Sequence, residues 1–147
     1  MYLLDTNHCS FILEGDPAAI ENFRRRANLP IATSVIVAGE LKFMVQNSQR
    51  KAANLIKIKA FLQRLEVYPI DLEIANIYGE FKAEVIREFG PKERSRRKTA
   101  RLVELGISEN DLWIAATAIR HSLTVVSCDS DFERMQQVRE FSLESWV

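Results

Sequence analysis

A three-layer α/β sandwich is the fold class this sequence predicts, with helices covering both faces of a central, mainly parallel sheet of four to five strands. Three observations predict it. Two short apolar runs, Met1-Tyr2-Leu3-Leu4 and Leu123 to Cys128, read as strands buried on both faces. Between them, strand-like runs alternate with longer stretches of helical period, the pattern of βα units. Both apolar runs close on a carboxylate, Asp5 and Asp129, at the carboxyl edge where parallel sheets gather distant residues around a ligand. The 147 residues suit one domain, 1–147, with a core of ordinary size.

The elements follow from local signals. After the first strand a helix starts near Asn7 to Cys9. Asp16-Pro17 pairs an N-cap with proline at the first helical position and opens a helix through Glu21, Phe23 and Arg26. Leu29-Pro30-Ile31-Ala32 is a short strand. Ser34 caps a helix to about Gln46, and a second helix runs from about Gln49 to Leu65, apolar at Ala52, Leu55, Ile56, Ile58, Phe61, Leu62 and Leu65. Val67 to Ile70 is a strand that Pro69 assigns to a sheet edge or strand end. Asp71 opens a helix that Gly90-Pro91 stops. The basic segment that follows forms a helix to Leu105, ended by Gly106. Ser108 begins another, to about His121, before the strand 123–128. The tail 142–147 supplies a last edge strand.

Composition narrows the function. With 47% hydrophobic and 27% charged residues the chain folds compactly, and no apolar segment approaches the roughly 20 residues of a membrane span. The first apolar run is too short for a secretory signal and lacks a basic flank, so a cytoplasmic protein is expected. Cys9 and Cys128 make no disulfide framework and are read as reduced thiols. Twenty basic residues balance twenty acidic ones, so any attraction to nucleic acid has to be local. Lys92, Arg94, Arg96, Arg97, Lys98 and Arg101 form such a local run, which reads either as a solvated helix face or as a phosphate-binding rim.

Four carboxylates stand where packing does not explain them: Asp5, Glu40, Asp111 and Asp129. Glu40 shares a helical stripe with Ile36 and Phe43, widened by Val37 and Met44, and is expected in an apolar sector where an unpaired charge costs several kcal/mol. Asp111 lies in a first helical turn on the face of Ala115 and Ala118. The spacing Ser108-Glu109-Asn110-Asp111 equally suits a capping box. Asp5 and Asp129 each have a turn-forming alternative, and Asp131 stands close to Asp129. Gathered together, these anions repel unless a cation joins them, and oxygen-only ligands select hard ions such as Mg²⁺ or Mn²⁺. Two histidines and no cysteine pair at ligand spacing argue against structural zinc.

Tyr2-Leu3-Leu4-Asp5-Thr6-Asn7, the segment Ser34 to Leu41, the segment Asn110 to Ala116, and Ser127-Cys128-Asp129-Ser130-Asp131-Phe132 resemble, in order, the four acidic motifs of PIN-domain proteins. The likeness is strongest to the VapC-type ribonuclease toxins of type II toxin–antitoxin pairs, and it spans nearly the whole chain. The resemblance implies a PIN-like α/β/α sandwich, a divalent-metal site, a homodimer, and a cognate VapB-type antitoxin that blocks activity. It carries Asp5, Glu40 and Asp111 over as metal ligands. At the fourth motif it leaves two acids, with Asp129 the first choice and Asp131 the alternative. The stretch holding the basic run 92–101 is often shorter in such toxins, which leaves substrate contact and an added helix both open.

The mechanism expected on this reading is hydrolysis of RNA, with tRNA the first substrate class, by metal-activated water, leaving 5′-phosphate and 3′-hydroxyl ends. Thr6, Asn7 and Ser127 are expected to hold the carboxylates by hydrogen bonds. The basic run would grip phosphates without reading sequence. An aspartate-nucleophile phosphatase also starts with Asp after its first strand, but its second acid is replaced here by Asn7. A PIN-like module that binds RNA or protein without cutting is the other rival, and the intact acids count against it. His8 reads as a packing or hydrogen-bonding residue, Cys9 lacks a legible catalytic partner, and Trp113 and Trp146 read as core or dimer contacts.

Overall fold

The computed structural model describes residues 1–147. Five strands, β1 (Tyr2–Leu4), β2 (Ile31–Ser34), β3 (Glu66–Tyr68), β4 (Thr124–Val126) and β5 (Leu143–Glu144), form one sheet in the order β3-β2-β1-β4-β5. Every pairing is parallel. The expected sandwich is therefore present, with both edges where the sequence put them: Pro69 follows edge strand β3, and the tail supplies β5. No helix is long and apolar enough to cross a membrane.

The crossovers set the layers. Helices α1 (Thr6–Glu14) and α2 (Pro17–Arg25) link β1 to β2, and α3 (Val35–Gln46) and α4 (Lys51–Leu62) link β2 to β3. Those steps run one way across the sheet. Helix α5 (Leu72–Phe89), a short turn α6 (Arg94–Arg97), a 3₁₀ turn (Leu102–Leu105) and α7 (Glu109–His121) return the chain to β4, and α8 (Ser130–Gln136) leads on to β5. Because parallel crossovers are right-handed, the reversal puts α1 to α4 on one face and α5 to α8 on the other. The helix contacts agree: α1 touches α2, α3 and α4, while α7 packs on α5 and α8. The direction changes between β1 and β4, and the crevice at such a switch point is where an open parallel sheet binds its ligand.

Local chemistry explains the boundaries. Strand β2 begins at Ile31, later than the sequence suggested, and includes Thr33 and Ser34, both fully buried. Their hydroxyls are satisfied inside the protein: Thr33 Oγ1 donates to Leu4 O at 3.0 Å, and Ser34 Oγ accepts Val37 N–H at 3.3 Å as the cap of α3. Strand β4 is only Thr124–Val126, shorter than the expected 123–128. The basic segment is not one helix to Leu105. It breaks into α6 and the 3₁₀ turn, and Gly106, at φ 67°, ends the latter as expected. Six cations at close spacing repel along a helix, and Ala100-Arg101 separates the two turns. Helix α8 was not anticipated, because Asp129-Ser130-Asp131 reads as readily as a turn; Phe132 and Met135, both fully buried, anchor it. One continuous apolar cluster runs from Leu3 and Leu4 through Phe81, Leu112 and Phe132 to Trp146.

Candidate active site

The residue after β1, Asp5, is only 2% exposed. Its N–H bonds Val126 O at 3.2 Å, so the β1–β4 ladder fixes its backbone. Oδ1 caps α1, accepting His8 N–H at 2.7 Å, and lies 3.1 Å from His8 Nδ1; Ser127 Oγ donates to Oδ2 at 2.5 Å. Three of about four acceptor positions are thereby used. The His8 ring is fully buried, and its Nε2 accepts the Trp146 N–H at 3.1 Å. That bond assigns the ring proton to Nδ1, which donates it to Asp5.

Glu40 projects from α3 and is half-buried. The stripe expected to bury it does not face the core: Phe43 is 68% exposed and Met44 45%, while Val37, Ala38, Leu41 and Val45 are the buried residues of the helix. The reason is that α3 packs on α1 and α4 through one flank, leaving Ile36, Glu40 and Phe43 on the rim. Two neighbours hold the carboxylate. Thr6 Oγ1 donates to Oε2, and Asn110 Nδ2 donates to Oε1 at 2.7 Å.

Asp111 stands in the first turn of α7, whose buried Ala115 and Ala118 let the helix lie close against its neighbours. Ser108 provides the cap, its Oγ accepting Asp111 N–H at 3.4 Å. The Asp111 carboxylate accepts no hydrogen bond of its own and so is not consumed by capping. Asp129 caps α8 through Asp131 N–H at 2.9 Å, and its own N–H donates to Ser127 Oγ at 3.0 Å. Asp131 accepts Ser108 N–H at 2.8 Å. Carboxylate oxygens of Asp111, Asp129 and Asp131 lie within 4.8 Å of one another.

The electrostatics join all five acids. Burial, then the charges of Asp129, Asp131, Asp5 and Glu40, push the Asp111 carboxyl from 3.8 up to about 7. Every one of these influences raises it, and no cation offsets them. An all-oxygen donor set of concentrated negative charge, without a counter-cation from the chain, fits a hard divalent ion and suits neither zinc nor a soft metal.

Of the supporting residues expected, Thr6 and Ser127 bond Glu40 and Asp5, whereas Asn7 is exposed and bonds none of the acids. Asn110 takes the role foreseen for Asn7. Its signal was its place beside Asp111 in the first turn of α7. Lys92, Arg94, Arg96, Lys98 and Arg101 are exposed and Arg97 half-buried, none of them bonded to the acids. Both cysteines are free, and burial, reinforced by Asp5, pushes the Cys9 thiol far up. Trp146 is core, 2% exposed, while half-buried Trp113 stacks on Tyr78 with ring centroids 3.6 Å apart.

Comparison with known proteins decides the family. A family model described as PIN domain matches residues 2–138. The chain belongs to the PIN domain family. Within it the chain is of the VapC type: Ribonuclease VapC2 of Rickettsia felis is 30% identical, over 99% of this chain and 98% of the relative. The tRNA(fMet)-specific endonuclease VapC of Shigella flexneri is 28% identical over 99% and 97%. Among solved structures, VapBC2 from Rickettsia felis bound to a DNA fragment from their promoter superposes on this PIN domain with a TM-score of 0.81, 28% identity and coverage of 99% and 98%. DNA-bound VapBC from Salmonella typhimurium follows at 0.79, 25% identity and the same coverage.

Proposed function

We propose that this PIN-domain protein is a Mg²⁺- or Mn²⁺-dependent endoribonuclease, the toxin of a VapBC-type pair, acting in the cytoplasm as a homodimer of a single 1–147 domain. The single observation that carries the reading is the meeting of the Asp111, Asp129 and Asp131 carboxylate oxygens within 4.8 Å of one another. Asp5, Glu40, Asp111 and Asp129 are its metal ligands and catalytic residues, with Asp131 near enough to share the fourth position.

A divalent ion bound there supplies Lewis acidity, lowering the pKa of water and neutralising charge that develops on the transferring phosphoryl group. The chain's own residues prepare for it. His8 and Ser127 fix both oxygens of Asp5, and Thr6 and Asn110 fix both oxygens of Glu40, so neither carboxylate has to be ordered when the ion arrives. The Asp111 carboxyl, raised to about 7 by burial and the surrounding acids, would give up its proton where a cation is held. Water attacks, not the ribose 2′-hydroxyl, so the ends are 5′-phosphate and 3′-hydroxyl. A histidine-pair ribonuclease needs both of the chain's histidines, and His8 is fully buried with its ring nitrogens held by Asp5 and Trp146.

Structured RNA, with tRNA first, is the substrate class, supported by the tRNA-specific Shigella relative. A VapB-type antitoxin is the partner, supported by the likeness to VapBC complexes. Of the basic run Lys92, Arg94, Arg96, Arg97, Lys98 and Arg101, phosphate contacts come from Arg94, Arg97, Lys98 and Arg101, which line hollows beside α5, with Lys92 and Arg96 outside them. The test is incubation of the purified protein, free of partner, with total RNA and Mg²⁺ or Mn²⁺, against chelator and Asp5→Ala. Metal-dependent cuts bearing 5′-phosphate and lost in Asp5→Ala are expected. A folded, metal-loaded protein that binds RNA without cutting it would instead be a binding module.

A further inference from the structure

The charge on helix α5 is segregated. Glu80 and Glu84 turn to one side, where both pair with Arg139. Gly79, Lys82, Ala83, Ile86 and Arg87 turn to the other, where they meet Arg94, Arg97 and Lys98 around a cavity of about 400 Å³. No carboxylate lines it. Five arginines, Arg25, Arg26, Arg101, Arg120 and Arg139, pair with acids, while Arg24, Arg50, Arg64, Arg96 and Arg134, scattered outside the hollow, do not. Arg87, Arg94, Arg97 and Lys98 pair with none. On a chain of zero net charge this is a local choice, and like charges converging on one hollow repel unless an anion fills it. The two smallest lining residues, Gly79 and Ala83, leave the floor open.

Lys82 also lines a second cavity, of about 630 Å³, with Arg101, Leu102, Ser108 and Glu109. Lys82 and Tyr78 both bond Glu109, in the first turn of α7 two residues before Asp111. Ser108, at the far end, gives its N–H to Asp131. The two cavities therefore meet at Lys82, and the second reaches Ser108, whose N–H is bonded to Asp131 of the acidic centre.

We infer that the α5–α6 hollow is a backbone-phosphate subsite that grips the RNA strand away from the scissile bond. It rests on the ribonuclease reading and narrows it: Arg87, outside the basic run, joins Arg94, Arg97 and Lys98, while Lys92 and Arg96, inside the run, line no part of the hollow. A purely diffuse basic surface would weigh these residues equally; a built subsite does not.

The test measures binding of a labelled RNA hairpin by fluorescence anisotropy in chelator, across a salt series, with cleavage assayed separately in Mn²⁺. Arg87→Ala and the triple variant Arg94→Ala/Arg97→Ala/Lys98→Ala are expected to weaken binding, the triple by about tenfold, and to lower the slope of log K against log salt by about 2 for three lost phosphate contacts. Lys92→Ala/Arg96→Ala is expected to stay within about twofold of the parent in both binding and cleavage. Equal weakening by Lys92→Ala/Arg96→Ala, or parental affinity in the triple, overturns the subsite while leaving the nuclease reading intact. The same loss on a DNA duplex of identical sequence, bound as tightly, would overturn the assignment to RNA. Parent protein that neither binds nor cuts RNA removes both.

Discussion

His8 and Trp146 are joined by one hydrogen bond, Trp146 N–H to His8 Nε2 at 3.1 Å, and that bond decides which way the other side of the ring faces Asp5. With Nε2 occupied as acceptor, Nδ1 carries the proton and Asp5 receives it. A buried imidazole thus orients a carboxylate of the acidic centre from behind, as outer partners orient the ligands of metal sites.

Replacing the ring tests this directly. His8→Leu keeps apolar volume but strands the Trp146 N–H and removes one donor to Asp5. It should lower stability by about 1–3 kcal/mol, read by chemical denaturation. Mn²⁺ affinity, read by calorimetry on the folded variant, should fall by about 10- to 100-fold. Unchanged Mn²⁺ affinity would reduce His8 to packing alone.

Glu40 gives a matched comparison between two asparagines. Asn110→Ala and Thr6→Val, which each remove one bond to Glu40, should lower the single-turnover cleavage rate by about 10-fold or more. Asn7→Ala, which removes no bond to any acid, should stay near the parent rate. Equal losses at Asn7 and Asn110 would contradict the observed partners.

The Asp111 carboxyl makes metal-free stability depend on pH in a defined direction. Folding raises its pKa from 3.8 to about 7, so the folded protein holds that proton more tightly than the unfolded chain does. The resulting stability is fully present below about pH 3.8 and is lost as pH rises through about 7. In chelator, the Tm contribution of this group should therefore fall between pH 5.5 and 8. Asp111→Asn should remove that fall and melt higher than the parent at pH 8, by scanning fluorimetry. Mn²⁺ should raise the parent Tm most at pH 8, where the carboxylate is already ionised. A variant that melts lower than the parent at pH 8 in chelator would refute the cost assigned to Asp111.

At the fourth motif, Asp131 has a structural duty that Asp129 also has in its own helix. Asp131→Ala loses the acceptor of Ser108 N–H, and Asp129→Ala loses the cap of α8; each should cost about 1 kcal/mol in denaturation. Their metal duties separate by Mn²⁺ titration of Asp129→Asn and Asp131→Asn, with the larger loss of affinity expected at Asp129.

The acids were legible in the sequence because charge at a buried strand end or among apolar residues demands a partner; Asp111, Asp129 and Asp131 group within 4.8 Å, while Asp5 and Glu40 stand outside that group and act on Asp111 through their charge. Glu40, expected in an apolar sector, is instead half-buried at a rim. Periodicity located Ile36, Glu40 and Phe43 on one stripe, but only the packing of α3 on α1 and α4 decides that this stripe lies at the rim. Parallel order and both sheet edges were readable from the alternation of elements and from Pro69. The bounds of β2 were not, since Thr33 and Ser34 look polar until their hydroxyls are seen bonded inside. Asn110 and the His8–Trp146 contact were hidden for another reason: residue 110 meets residue 40 and residue 146 meets residue 8 only through tertiary structure, at separations of 70 and 138 positions.

Those separations govern when the centre comes into being. Asp5 lies just after β1, yet its oxygens are set by Ser127, 122 positions later, and by a ring whose own orientation waits for Trp146. A chain elongated no further than β3 therefore holds the Asp5 carboxylate without Ser127 or Trp146, the two groups on which its setting depends.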